Sequence, residues 1–314
     1  MVDTNVAAQV CDASGAEASV FEKFPARETS LGALKILRAL PIRQKRLVGP
    51  WCFLDRFGPL SFTDAKPLDV APHPHIGLQT VSWLVQGEIV HKDSLGNEAL
   101  LGPGGVNVMT SGGGIAHSEE TPSPNSGLLN GVQLWIALPD AVRHGPASFQ
   151  HVDAVPIVEQ PGGLARVFAG SLLDGASATR HFSSILGADV EIHPNTSLEL
   201  PLDHSFEHAA LLLTGDAEIE GQAVDSTSLW YLGTNRSSVE FRSKSGARVL
   251  LIGGTPFTER ILMWWNFVAR APEEIAAARA DWQHHQRFGT VTGYHGPRIE
   301  APPVQRFAPP NPAS

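Results

Sequence analysis

Cysteine is nearly missing from this chain: there are two in 314 residues, Cys11 and Cys52, and neither sits in a C-x-x-C pair. That excludes a disulfide framework and a thiolate metal knuckle, and it makes a reducing cytoplasm the simplest home. No apolar run approaches the roughly 20 residues of a membrane span. The opening Met1-Val2-Asp3-Thr4-Asn5 has neither the basic start nor the apolar stretch of a secretory signal. A soluble, unsecreted, cytoplasmic protein without a membrane partner is expected. Positive charge is also scarce, with Lys+Arg 23 against Asp+Glu 32 and a formal net charge of −9. Such a molecule repels phosphate backbones, which argues against direct nucleic-acid binding. Helix-period stretches are few before the C-terminus, whereas Gly 30 and Pro 24 supply the many turns of an all-β protein.

Histidine, by contrast, comes in informative pairs. His73-Pro74-His75 and His117-Ser118-Glu119 each place two metal-ligating side chains two residues apart. On a strand, residues two apart point the same way, so each pair can reach inward together. Pro74 lacks a backbone N–H and biases His73 toward extended conformations, which puts this pair on an edge strand or strand-like loop rather than in the middle of a sheet. One H-x-H among thirteen histidines is unremarkable, but two matched pairs flanking a strand-rich segment point to one mononuclear metal site. Three nitrogens and one oxygen suit a borderline ion, and an octahedral one keeps two positions open for water, substrate or oxygen. Gly112-Gly113-Gly114, just before the second pair, does not follow the strand-to-helix pattern of a phosphate loop and reads as tight turns with close backbone approach.

The length allows two domains, each with its own core. Residues 1–28, rich in Ala, Ser and Asp, read as a flexible tail. From Leu34 short β-like runs alternate with Gly-Pro turns. Val81, Trp83 and Val85 share one strand face, and the following Gln86-Gly87 and Ile89-Val90-His91 read as a turn and the second arm of a hairpin. The stretch 210–219 repeats this strand, glycine, strand rhythm around Gly215, a weak internal repeat. The boundary is placed between Leu138-Pro139 and about Pro156, giving an N-terminal metal-binding domain at 29–145 and a C-terminal domain with no metal at 146–314. His144 and His151 fall in this linker as ordinary surface or packing histidines. His204 and His208 can share a strand face, but no His-x-Glu follows them. Near the end, Pro272, Glu273, Glu274 and Gly289 delimit a helix burying Ile275, Ala278 and Trp282. The preceding 263–267, Met-Trp-Trp-Asn-Phe, reads as a core strand anchoring that helix, with a binding surface as the alternative.

Gly49-Pro50-Trp51, Leu54-Asp55-Arg56-Phe57-Gly58-Pro59, the run from His73 through Val81 and the run from Met109 through Glu119 together resemble the signature of the pirin family of the cupin superfamily. The stretch 87–97 is similar to bacterial members. The resemblance covers most of residues 30–300, with its most specific motifs in the first half. It implies an all-β bicupin: two tandem β-barrels of the jelly-roll type with a C-terminal helix. Pirins hold one metal, most often described as iron, on these two motif pairs. Carried over, that implies His73, His75, His117 and Glu119 as ligands of one divalent ion, iron(II) first, with nickel, manganese, copper, cobalt or zinc suited to the same donors. Gln79 stands where many relatives carry Glu, which undercuts an acid–base role there.

Several pirins are described as cleaving the flavonol quercetin with molecular oxygen. The resemblance therefore implies a quercetin 2,3-dioxygenase-type oxygenase whose partners are O2 and an aromatic flavonol or related enol substrate. Glu119 would serve as ligand or, when mobile, as the catalytic base. The alternative is a non-enzymatic iron-dependent regulator that binds a protein partner, as animal pirins are described.

Overall fold

Strand alternation organises the molecule. In Leu78–Gly87, Val81, Trp83 and Val85 do share one face, with Ser82 and Leu84 on the other, and every residue from Leu78 to Val85 is buried. A strand buried on both faces needs a packed layer on each side. The computed structural model, which describes residues 9–11, 20–31, 34–63 and 68–304, shows what those layers are.

The first barrel joins two antiparallel sheets. The larger runs in the order Ser148–Val152, Val106–Thr110, Leu78–Gly87, Leu128–Ala137, Trp51–Ser61, Leu34–Leu40, Arg27–Leu31. The smaller runs Asp69–His75, Ile115–Glu120, Ile89–Asp93, Glu98–Leu101. Asp69–His75 is an edge strand, the place expected for a strand carrying Pro72 and Pro74. The second barrel repeats the plan, with its large sheet built around Ile185–Ile192, Ala247–Gly254 and Glu207–Gly215 and a four-stranded partner around Ser238–Ser243.

The two large sheets meet face to face. Val81, Trp83, Leu134 and Ile136 of the first pack with Phe168, Leu211, Leu250 and Ile252 of the second in one continuous core. Each such side chain contributes roughly 1.5–3 kcal/mol on burial, so this shared layer holds the barrels in register. The second barrel's own interior is filled by aliphatic side chains and Phe241. The first barrel's interior instead contains a pocket lined by polar and aromatic groups.

Several expectations are corrected. Leu78–Gly87 and Ile89–Asp93 do not form a hairpin, because each pairs within a different sheet and the chain crosses between sheets at Gly87. Glu207–Gly215 and Ala217–Ile219 make the same crossing at Gly215, so the repeat in the sequence is a repeated barrel corner. Both glycines have positive φ, 90° and 80°, and a Cβ would lie 2.2 Å from Leu128 O or 2.0 Å from Gly246 O. The domains are also interleaved. Ser148–Val152 closes the edge of the first barrel's sheet, so the crossover falls at 153–156, later than 145. Glu22–Pro25, assigned to the tail, pairs with Ser228–Gly233 of the second barrel, while Arg27–Leu31 pairs with Leu34–Leu40 of the first. Gln9–Cys11 pairs with Ile261–Trp264, and the rest of 1–19 lies outside the described residues. His204 sits in a turn before the strand that carries His208, so the two share no strand face.

The helix spans Pro272–Gln283 with Pro at its start and Ile275, Ala278 and Trp282 buried, and it ends before Gly289. Its apolar stripe packs with Ile76 and Ala116, which belong to the first barrel. The C-terminal segment thus folds back over the strands that carry the histidine pairs.

One buried polar cluster ties the two barrels. Trp83 donates from Nε1 to Asp189 Oδ2 at 2.9 Å, and Asp189, fully buried, is paired with Arg248 of the neighbouring strand. Removing one member of a buried pair strands the other. Asp189→Ala is therefore expected to cost about 3–5 kcal/mol in chemical denaturation; a loss under 1 kcal/mol would show that this cluster does not hold the barrels.

Candidate metal centre

The two histidine pairs converge because their strands are neighbours. Ile115–Glu120 lies between Asp69–His75 and Ile89–Asp93, with His117 opposite His73 on one side and Asp93 on the other. A bulge between His117 and Glu119 re-aims the strand there. One nitrogen from each of His73, His75 and His117 lies within 4.8 Å of the others, and donor atoms of His91, His117 and Glu119 form a second such triplet sharing His117. All of these side chains are buried.

Hydrogen bonds decide which nitrogens are available. His73 donates from Nδ1 to Ala71 O at 2.9 Å, and His75 donates from Nδ1 to Asn266 O at 3.1 Å. A neutral imidazole carries one N–H, so Nε2 of each is left as a lone pair. His75 Nε2 lies 3.0 Å from His117 Nε2. Two nitrogens bound about 2.1 Å from one ion at a right angle stand about 3.0 Å apart. The donor set fits a metal ion in spacing and in chemistry. Burial pushes the imidazole of His73 down to about 4, and burial with the neighbouring histidines holds His75 and His117 well below the usual range. All three are uncharged at neutral pH, the form that ligates.

Glu119 faces the same pocket. Its carboxyl is pushed up, chiefly by burial, with Ser82 Oγ 3.1 Å from its Oε1 and Gln133 Oε1 2.8 Å from that hydroxyl. Aromatic and aliphatic side chains line the rest: Phe53 stacks on Trp135 with centroids 4.0 Å apart, His75 meets Trp135 edge-on at 5.2 Å, and Trp264 and Trp265 join Ile36, Val70 and Met263 in the lining. Arg38 sits over Phe53 and makes two hydrogen bonds to Asp55, at 2.8 and 2.7 Å.

All four residues expected from the sequence reach this pocket. Gln79 does not: it faces the second barrel, donating to Thr110 Oγ1 and the Arg180 carbonyl beside His181. Of 263–267, Met263 and Trp264 end one buried strand, Trp265 and Asn266 form a turn and Phe267 begins the next strand; 263–266 also line the pocket, so the alternative of a binding surface describes the segment as well. Sequence reasoning missed His91 and Asp93, although their two-residue spacing is the signal used for the other pairs. It also missed the Asn266 carbonyl, which no side-chain pattern encodes. Gly112 makes its turn with positive φ against the Gly145 carbonyl, in line with close backbone approach.

A two-barrel fold with a histidine cluster inside one barrel defines a cupin-type protein. The comparisons specify it further. The Pirin family model matches residues 33–136 and the Pirin C-terminal cupin domain model matches residues 187–289. A Pseudomonas aeruginosa protein provisionally named quercetin 2,3-dioxygenase is 42% identical over 287 residues, 91% of each chain. A pirin-like protein of Caulobacter vibrioides is 36% identical, covering 83% of this chain and 92% of that one. The crystal structure of a quercetin 2,3-dioxygenase from Acinetobacter baumannii superposes with a TM-score of 0.88 at 41% identity, covering 91% of this chain and 96% of that one. The chain belongs to the pirin family.

Burial of neutral imidazoles has a measurable consequence. His181 and His208 are also pushed down to about 4 by burial. With folded values below the unfolded 6.5, the unfolded state binds more protons, so stability is intact above pH 6.5 and declines as pH falls from there toward 4. Metal-free protein is expected to lose roughly 1 kcal/mol for each such histidine between pH 7.5 and 5.5; equal denaturation midpoints at the two values would contradict it.

Proposed function

We propose that the first barrel is a mononuclear metal oxygenase of the quercetin 2,3-dioxygenase type, acting on a flavonol or related aromatic enol with molecular oxygen. The observation that carries this reading is one pocket lined by three converging imidazoles, a carboxylate and the aromatic side chains Phe53, Trp135, Trp264 and Trp265. His73, His75, His117 and Glu119 would hold the ion; these donors suit several first-row metals, and iron(II) is taken from the family resemblance. When bound, the metal supplies Lewis acidity and a path for electrons between substrate and oxygen. The names of relatives at 42% and 41% identity support the substrate class.

The chain's own residues provide the rest. Phe53, Trp135, Trp264 and Trp265 bind a planar polyphenol by apolar burial and stacking, and they keep water from the reacting face. The Asn266 side-chain Nδ2 is buried without a hydrogen-bond partner, which makes it a donor for a substrate oxygen. Glu119 would serve as a ligand or, when mobile, as the base that accepts the substrate hydroxyl proton. Burial has already raised its proton affinity toward that role. Ser82 steadies its Oε1 and leaves Oε2 for the substrate.

Iron-loaded protein prepared without oxygen should bind about one ion per chain and consume oxygen with quercetin, and His117→Ala should lose both. Metal binding with no oxygen uptake across a flavonol panel would overturn the oxygenase reading in favour of a metal-dependent regulator. Glu119→Gln separates the two roles of that residue. Retained metal with turnover lowered 100-fold or more is the signature of a base, and lost metal is the signature of an obligate ligand.

A further inference from the structure

We infer that His91 and Asp93 form a proton-ordered chain behind His117 that sets the tautomer and donor strength of that residue toward the metal. The inference rests on the metal-site reading above and adds two positioning residues to it. Neither lines the pocket, and both are buried, at 2% and 1% exposure.

Asp93 fixes the order. Its Oδ1 accepts the backbone N–H of Leu95 at 2.9 Å and of Asn97 at 3.0 Å, and the Asn97 amide reaches both oxygens, at 3.1 and 2.8 Å. Burial opposes the charge, but hydrogen bonds from His91 and Asn97 outweigh it and hold the carboxyl below the usual carboxylate range. An ionised carboxylate only accepts. His91 Nε2, 3.3 Å from Oδ2, is therefore the donor of that contact, and in the proposed order its Nδ1 is the lone pair. His117 Nδ1 lies 3.3 Å from that lone pair and is the donor. This leaves His117 Nε2 unprotonated, facing the equally unprotonated His75 Nε2 across 3.0 Å. In this order the two lone pairs are placed to share one cation.

The remaining contacts hold the chain in place. The His91 ring stacks on Phe149 with centroids 4.2 Å apart and planes 6° from parallel, and His91 lies opposite Glu119 across the strands. The three imidazoles are thus oriented by three different partners: a local carbonyl for His73, the Asn266 carbonyl for His75, and a histidine backed by a carboxylate for His117. An anion at the far end of such a chain strengthens the ligand it polarises, and cutting such a link typically weakens metal binding 10–100-fold.

The test begins with wild-type protein, 15N-labelled at histidine and loaded with zinc(II). Nitrogen chemical shifts should report His91 protonated at Nε2 and bare at Nδ1, and His117 protonated at Nδ1. A His91 protonated at Nδ1 reverses every donor in the chain and would overturn the proposal without any variant. His91→Phe keeps the ring stacked on Phe149 and removes both nitrogens; its zinc affinity should fall 10–100-fold. His91→Asn restores an acceptor near the Nδ1 position and should recover part of that loss. Equal zinc affinity in wild type and His91→Phe would also overturn the proposal. Wild type that takes up no zinc would instead sink the metal-site reading, so the two failures are distinguishable.

Discussion

Uncharged imidazoles aimed at one another inside a dry barrel are the constraint around which the rest of this molecule is arranged. Burial disfavours protonation of His75 and His117, whose Nε2 atoms face each other across 3.0 Å with room for one proton or one cation between them. The arrangement persists because each ring is held from behind and because the surrounding strands leave it nowhere to relax. A cation suits that place, and the donors present are those that borderline metal ions prefer.

The two barrels divide the work. The second is filled with aliphatic side chains and contributes its large sheet as the packing surface against which the first barrel's large sheet is fixed. The first can then leave its interior partly hollow and polar, a costly arrangement for a barrel standing alone. The C-terminal segment returns from the second barrel to close the first, bringing the His75 acceptor and two tryptophans to the pocket. Chain order and spatial order therefore part company. Residues 266 and 75 are neighbours, and residues 22–25 belong with 228–233.

The legible features were those encoded locally. The period-two spacing in His73-Pro74-His75 and His117-Ser118-Glu119 picked out side chains that meet in one pocket, Pro74 marked an edge strand, and the helix from Pro272 could be read from its first residues and buried stripe. The misread features depend on pairings distant in sequence. Gly87 looks like a hairpin turn because the local pattern of a hairpin and of a barrel corner is the same; only the partner strands differ. Within the 138–156 range the sequence does not show that the strand at 148–152 joins the first barrel's sheet, because it is too short to announce its partner. His91 and Asp93 were overlooked because an orienting pair carries no motif of its own, although the same spacing rule placed them on one face.

The central claim is that three histidines and Glu119 of the first barrel hold a single ion. X-ray absorption of the iron(II)-loaded protein tests it most directly. The account predicts light-atom ligation by nitrogen and oxygen, with the outer-sphere scattering of three imidazole rings, and the loss of one ring's contribution in His75→Ala. A spectrum without imidazole scattering, or one unchanged by that substitution, would contradict it.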